Sequence, residues 1–345
     1  MSRLLEIVRQ LRESRGFRHK QDIASVLARL DPGTSAPAGV PNGDDSAVLP
    51  LPGGQGYQLL AIEGLVPDFV QALPWFAGYS AVMVNLSDIA AMGGRPQGVV
   101  DALWACDDEQ AGELLAGMRA AAERYEVPII GGHTNLRAAQ GHLAVAVLGY
   151  ARELISSFAA RPGDRILVAT DLRGGWQGAH PFWDASTDAN PQQLRGDLDI
   201  LPRLAEDGLC LAGKDISMAG VLGSLLMLLE CSRAGASVEL ERLPRPREVP
   251  AWSDDSAVAV QSQMRWLNAF PSFGFVLSVS PRHAEAVIQR FADRHIACSD
   301  VGVVVARPQL RVHLRGEEAL LWDLGSQPFI GVGPTCGAKP SRIAA

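Results

Sequence analysis

The sequence predicts an α+β (α/β) chain built as two domains, and three observations carry that prediction. At 345 residues the chain is long enough for two ordinary domains, each with a core of its own. Apolar runs of strand length alternate with longer segments at helical spacing, the alternation expected of mixed architecture. Near 150–162 the strand-like GHLAVAVLGYA gives way to PGDRILVAT, which reads as the start of a second βα-rich region. The expected domains are therefore 1–152, with a helical arm over 1–30, and 160–310, followed by an extension over 311–345.

The elements follow in order. Residues 3–30 interleave apolar residues with Arg and Glu, predicting two short amphipathic helices in place of a signal peptide. DPGTSAPAGVPNG, 31–43, is a Pro/Gly/Ser-rich loop leading into Asp44-Asp45-Ser46. YQLLAIEGLV, 57–66, reads as a buried strand that carries Glu63. AGYSAVMVNLSDIAAMGG, 77–94, is rich in small apolar residues. Ala81, Val84, Leu86 and Ile89 lie near helical spacing and Gly93-Gly94 forms a stop, predicting a tightly packed helix. PQGVVDALWA is a strand, DEQAGELLAGMRAAAERYE a long helix, and VPIIGGHTN, 127–135, a short strand entering a Gly-Gly turn.

In the second half, 171–197 is expected to be a 27-residue loop, longer than ordinary connections and so functional or mobile. Its His180 is either a solvated loop histidine or a candidate for gating or substrate contact. Phe182 and Trp183 either close over a ligand or dock onto the core. Helices are expected at 218–235, 254–269 and 281–295, strands at 236–240, 273–279 and 300–306, and a loose tail over 328–345.

Composition narrows the function classes. The net charge of −7, from 31 Lys+Arg against 38 Asp+Glu, argues against a general nucleic-acid or anionic-membrane surface. No apolar run approaches the roughly 18 residues of a membrane span. Cys106, Cys210, Cys231, Cys298 and Cys336 form no CxxC pair, which fits free thiols in a reducing compartment, with the cytoplasm as the expected location.

Five polar clusters sit at element ends beside Gly, Ser or Ala: Asp44-Asp45-Ser46, Glu63-Gly64, Asn85 to Asp88, Gly131 to Asn135, and Lys214 to Ser217. Carboxylates beside tight glycine turns suit Mg²⁺, which takes hard oxygen ligands and recruits phosphate oxygens. Each cluster taken singly also fits a turn or a helix cap.

GDDSAVLP, VNLSDIAAMGGRP and IIGGHTN, with the strand ending in an acid between the first two, resemble the N-terminal half of one superfamily. Its members include AIR synthase, thiamine-monophosphate kinase, selenophosphate synthetase and the hydrogenase-maturation carbamoyl dehydratase. VNLSDIAAMGGRP is most similar to the kinase branch. GDRILVAT, KDIS near 214, and GFVLSVSPRHAEAVIQRFADRHIACSDVGVV resemble the C-terminal domain. The resemblance implies an AIR-synthase-like fold, its N-terminal mixed sheet pairing two copies into a homodimer. It implies ATP and Mg²⁺ as cofactors, and Asp44, Asp45, Glu63 and Asp88 as metal–nucleotide ligands, with Asp215 contributed by the second domain. It places Ser46, Asn85, Gly131, Gly132, Thr134, Asn135 and Lys214 near the nucleotide, and Asp45, Asp88 and Asp215 at the chemistry.

The chain departs from the family's pattern where His133 stands in place of an acid after Gly-Gly. It departs again where Glu63 replaces Asp, and where Met218-Ala219 follows Ser217 without a second acid. Imidazole is a poorer Mg²⁺ ligand than carboxylate. His133 is either a changed ligand or a sign that one metal is lost or served by Asn135. GLCLAGKD approaches a P-loop, but Asp215 replaces the metal-binding hydroxyl and a helical segment precedes it where a strand is required. Cys336 lies nine residues from the end of the chain, which sets it apart from a terminal catalytic cysteine.

Two functional readings follow. One is an ATP–Mg²⁺-dependent enzyme acting on a small molecule, either a kinase or an enzyme that activates an amide oxygen. The other is a non-catalytic nucleotide-binding or scaffold protein that has lost part of the metal site. The sequence DDSAV occurs at 44–48 and again at 254–258. The second copy opens an amphipathic segment in which Ser253 is the expected N-cap and Asp254 and Asp255 occupy the first turn, a structural role.

Overall fold

The computed structural model describes residues 2–30 and 41–332. Most of the 31–43 loop, the end of the tail and Cys336 lie outside the described residues.

The chain opens with helices α1 (Arg3–Glu13) and α2 (Arg15–Leu27), capped by Ser2 and Ser14. They are the expected amphipathic pair, but their apolar face belongs to the second domain. Leu4, Ile7, Val8, Leu11 and Phe17 are buried in one cluster with Leu222, Leu321, Trp322 and Phe329.

The N-terminal domain is a five-stranded sheet with two long helices on one face. Its elements are β1 (Ala47–Pro50), β2 (Tyr57–Gly64), α3 (Pro67–Ala72), α4 (Pro74–Ala91), β3 (Arg95–Trp104), α5 (Asp108–Tyr125), β4 (Ile129–Asn135) and β5 (His142–Ala151). The strand order is β1-β2-β5-β3-β4, with β3 and β4 parallel and the other pairs antiparallel. Side chains of a strand alternate between faces. Leu59, Ala61, Val145, Val147, Val99 and Leu103 therefore face the helices and are buried. On the opposite face Leu49, Leu60, Ile62, Val100, Ile130 and Leu148 are exposed, Ile62 at 69% and Ile130 at 61%. The strand carrying Glu63 is thus buried on one face only.

Helix α4 is buried on every side from Phe76 to Ala91. Its small residues permit this: a Cβ on Gly78 would lie 2.0 Å from the carbonyl oxygen of Leu114 in α5, so the two backbones touch there. Ala90 and Ala91 join a core cluster with Ile200, Leu204 and Phe275 of the second domain, so α4 is the wedge between the domains.

The second domain comprises β6 (Arg165–Thr170), β7 (Gly175–Trp176), β8 (Phe182–Asp184), α6 (Pro191–Leu198), α7 (Ile200–Glu206), β9 (Ala212–Asp215), α8 (Gly220–Ser232), β10 (Gly235–Glu239), α9 (Ala257–Leu267), β11 (Phe270–Pro271), β12 (Gly274–Val279), α10 (Ala284–Ala292), β13 (Ala297–Val305), β14 (Gln309–Leu314) and β15 (Glu317–Asp323). Seven strands form one sheet in the order β15-β14-β10-β13-β6-β12-β9. Residues 311–323 are therefore sheet, not an extension. Beyond them Glu230 accepts the backbone N–H groups of Phe329, Ile330 and Gly331 at 2.7–2.9 Å, so this part of the expected loose tail is fastened.

The 171–197 segment is built, not loose. Strands β7, β8 and β11 form a small sheet, and α6 starts at Pro191. Trp183 is 1% exposed and meets Trp176 and Trp266 edge-on at 5.3 and 5.6 Å. Phe182 packs on Phe69 of α3 and Phe270. Both aromatics dock onto the core, and His180 stacks on Phe182 at 5.4 Å.

Candidate metal centre

Three carboxylates converge where α4, β9 and the turn before β1 meet. Ligand oxygens of Asp45, Asp88 and Asp215 lie within 4.8 Å of one another. Asp88 comes from the last turn of α4, so it does not cap the start of a helix. Asp215 ends β9, whose pairing with β12 fixes Asp215 opposite Phe275. Asp45 reaches across from the N-terminal domain, and its Oδ2 accepts the backbone N–H of Asp215 at 3.3 Å.

Asp88 and Asp215 are 6% and 5% exposed, and no side-chain hydrogen bond reaches either carboxylate among the described residues. Such groups carry a desolvation cost unless a partner is supplied. Burial pushes the Asp88 carboxyl well above the usual range, helped by repulsion from Asp215, Glu63 and Asp45. Burial and then the Asp45 charge raise Asp215 to about 8. Glu63, on the helix-facing side of β2, stands exposed at the rim; it too is raised, by desolvation and the Asp45 charge, against the pull of Lys20.

Further oxygens close in sequence to the cluster lack partners among the described residues. The amide of Asn85 donates to the Ala81 carbonyl at 2.7 Å, leaving its Oδ1 buried and unpartnered one turn from Asp88. Ser46 Oγ and Ser217 Oγ, next in sequence to Asp45 and two beyond Asp215, are also buried without partners. Hard oxygen donors held close and left unsatisfied are the chemistry a Mg²⁺-sized ion requires, so the residues present fit that ion.

The rest of the expected set is placed elsewhere. Asp44 is engaged with the inter-domain segment: its carboxylate accepts Ser156 Oγ at 2.6 Å and the Ser157 N–H at 3.0 Å. Lys214 is inside the cluster, ion-paired to Asp45 with both side chains about 5% exposed. Gly131, Gly132, His133, Thr134 and Asn135 lie on β4, within a strand where a turn was expected. The in-register row Glu63–Val145–Asp101–Gly132 puts β4 three strand spacings from β2, on the order of 14 Å. His133 and Asn135 also point to the open face, beside Trp104, whereas Glu63 and Asp88 lie on the helix-covered side. Within one chain His133 is therefore not part of the acid cluster. Gly132 itself is explained by Asp101, whose Oδ1 lies 2.2 Å from where a Cβ would sit.

The second DDSAV copy is structural, with shifted details. The helix starts later and its N-cap is Ser256, whose N–H is held by Asp254 at 2.9 Å. Asp255 pairs with Arg3 and Arg315. The GLCLAGKD stretch runs from helix α7 into strand β9, the reverse of a phosphate loop between strand and helix.

Residues 43–151 match the family described as AIR synthase related protein, N-terminal domain, and 161–315 match its C-terminal domain. An uncharacterised protein of Synechocystis is 40% identical over 331 residues, covering 95% of this chain and 98% of that one. Thiamine-monophosphate kinase of Synechococcus elongatus is 29% identical over 311 residues, covering 83% of this chain and 91% of the kinase. Among solved structures, Thermotoga maritima PurL complexed with ATP superposes with a TM-score of 0.65 at 21% identity, covering 83% of this chain. The chain spans about half of that larger structure, 46% of its length.

Proposed function

The chain belongs to the AIR synthase related family, and from that premise we propose that it is an ATP–Mg²⁺-dependent enzyme that transfers or uses the γ-phosphate on a small-molecule substrate. The observation that carries this reading is the convergence of Asp88 and Asp215, buried, without a side-chain hydrogen bond among the described residues and drawn from different domains, within 4.8 Å together with Asp45. A kinase relative and an ATP-bound structural neighbour support the nucleotide.

Asp88 and Asp215 would hold the metal, with Glu63 at the rim and the free Oδ1 of Asn85 beside them. A divalent ion held there with the nucleotide would supply charge neutralisation at the phosphoryl group being moved. The chain's own share is positioning: α4 and β9 fix the two carboxylates from opposite sides and leave them 6% and 5% exposed. Half-buried Lys20 of α2, near enough to act on Glu63 and Asp215, offers a positive charge to phosphate.

We also assign a second copy of the chain to the open sheet face, whose exposed Leu49, Leu60, Ile62, Val100, Ile130 and Leu148 form an apolar surface of the kind that marks association. No helix among the described residues is long and apolar enough to cross a membrane. The unpaired Cys106, Cys210, Cys231 and Cys298 favour a reducing compartment, and we place the activity in the cytoplasm.

Incubation with ATP, Mg²⁺ and pooled cell metabolites, with ADP and free phosphate measured separately, tests the reading. ADP without phosphate identifies a kinase, and equal amounts of both identify amide activation followed by displacement. Tight ATP binding with no ADP from any pool would favour the scaffold reading that His133 and the absent acid after Ser217 suggest.

A further inference from the structure

A lysine ammonium inside a carboxylate cluster is itself a cation. Lys214 lies on β9, its backbone fixed opposite Val276 of β12 and its side chain 5% exposed, so it cannot retreat to solvent. Its Nζ binds Oδ1 of Asp45, and Oδ2 of Asp45 takes the Asp215 N–H at 3.3 Å, so both oxygens of Asp45 are committed. Asp88 and Asp215, by contrast, receive no side-chain hydrogen bond among the described residues.

We infer that Lys214 is a built-in cation that takes one seat of the acid cluster, so that Asp45 is not a metal ligand and one divalent ion is held on the Asp88–Asp215 side. Charge agrees: Asp45 and Lys214 balance each other, and once an incoming divalent ion has displaced their protons, Asp88 and Asp215 carry the two negative charges that one such ion balances. A second divalent ion at Asp45 would have to displace or lie against a fixed positive charge. Asp45 then acts as an inter-domain clasp, fastening the turn before β1 to β9. The inference rests on the metal reading above only for the ion at Asp88 and Asp215.

The test counts bound Mn²⁺ per chain by electron paramagnetic resonance, in full-length protein without nucleotide. Lys214→Met should bind one Mn²⁺ more than wild type, because the vacated seat leaves Asp45 an unpaired buried carboxylate. Asp45→Asn/Lys214→Met, which replaces the buried pair by neutral groups, should return to the wild-type count with an affinity within about threefold. That double variant carries the test alone if the single one does not fold. No added ion in Lys214→Met, or one ion fewer in the double variant, overturns the inference. The wild-type count separately tests the metal reading: zero bound Mn²⁺ sinks that reading, while the difference between chains still decides the role of Lys214.

Discussion

Burial first, and then the negative charge around them, pushes the carboxyls of Asp88 and Asp215 above the usual range by disfavouring the charged form. An unfolded Asp titrates near 3.9, whereas Asp215 in the fold titrates at about 8. Between those values the native state keeps a proton that the unfolded chain has lost. Metal-free stability therefore falls as pH rises from about 4 to about 8. A divalent ion must displace that proton, so its binding strengthens across the same window. We predict that saturating Mn²⁺ raises the melting temperature more at pH 8 than at pH 5.5, and equal shifts would contradict the site. At this scale the sequence was informative about identity and poor on partnership. It marked Asp45, Asp88, Asp215 and Lys214, but the commitment of Asp44 to Ser156 and Ser157 depends on a contact 112 residues away along the chain. The same holds for His133, whose face is set by a parallel pairing of β3 with β4 that no local pattern encodes.

Among the elements, β2 and β4 carry the proposed pairing of two copies. Both present β-branched residues outward, Ile62 at 69% and Ile130 at 61% exposure, on a face that no helix among the described residues covers. Ile62→Asp/Ile130→Asp is expected to shift a dimer to monomer in sedimentation equilibrium without changing the melting temperature of the separated chain. A monomeric wild type would refute the assignment. Helix α4 was legible from its small-residue composition and its Gly93-Gly94 stop, because a helix buried all round has no polar face to disguise it. The 171–197 segment was not, because its two- and three-residue strands are too short for a periodic signal. What fixes it is the tryptophan cluster. Trp183→Ala should cost roughly 3–5 kcal/mol in denaturant unfolding, the range for emptying a large buried aromatic site. A loss under 1 kcal/mol would mean that the segment is not docked as described.

At the scale of the molecule, the chain ties its two domains together repeatedly. The N-terminal arm packs on the C-terminal domain through Leu4, Ile7 and Leu11. α4 fills the seam, and Arg95 of β3 reaches Asp199 and Glu206 at 2.7 and 2.6 Å. Removing one methyl-rich contact of the arm, Leu11→Ala, should cost about 2–5 kcal/mol. It should lower a single cooperative transition, and splitting of that transition in two would show that the domains unfold independently. Two-domain α+β architecture was readable from the alternation of elements and the break near 150–162. The placement of the arm and of residues 311–323 was not, since amphipathicity says that a face is buried without saying against what. The central claim is that an acid site formed by both domains binds metal–nucleotide. Calorimetric titration of ATP with and without Mg²⁺, in wild type and in Asp88→Asn, tests it most directly. The account predicts Mg²⁺-dependent ATP binding that weakens at least tenfold in Asp88→Asn, and unchanged binding in that variant would contradict it.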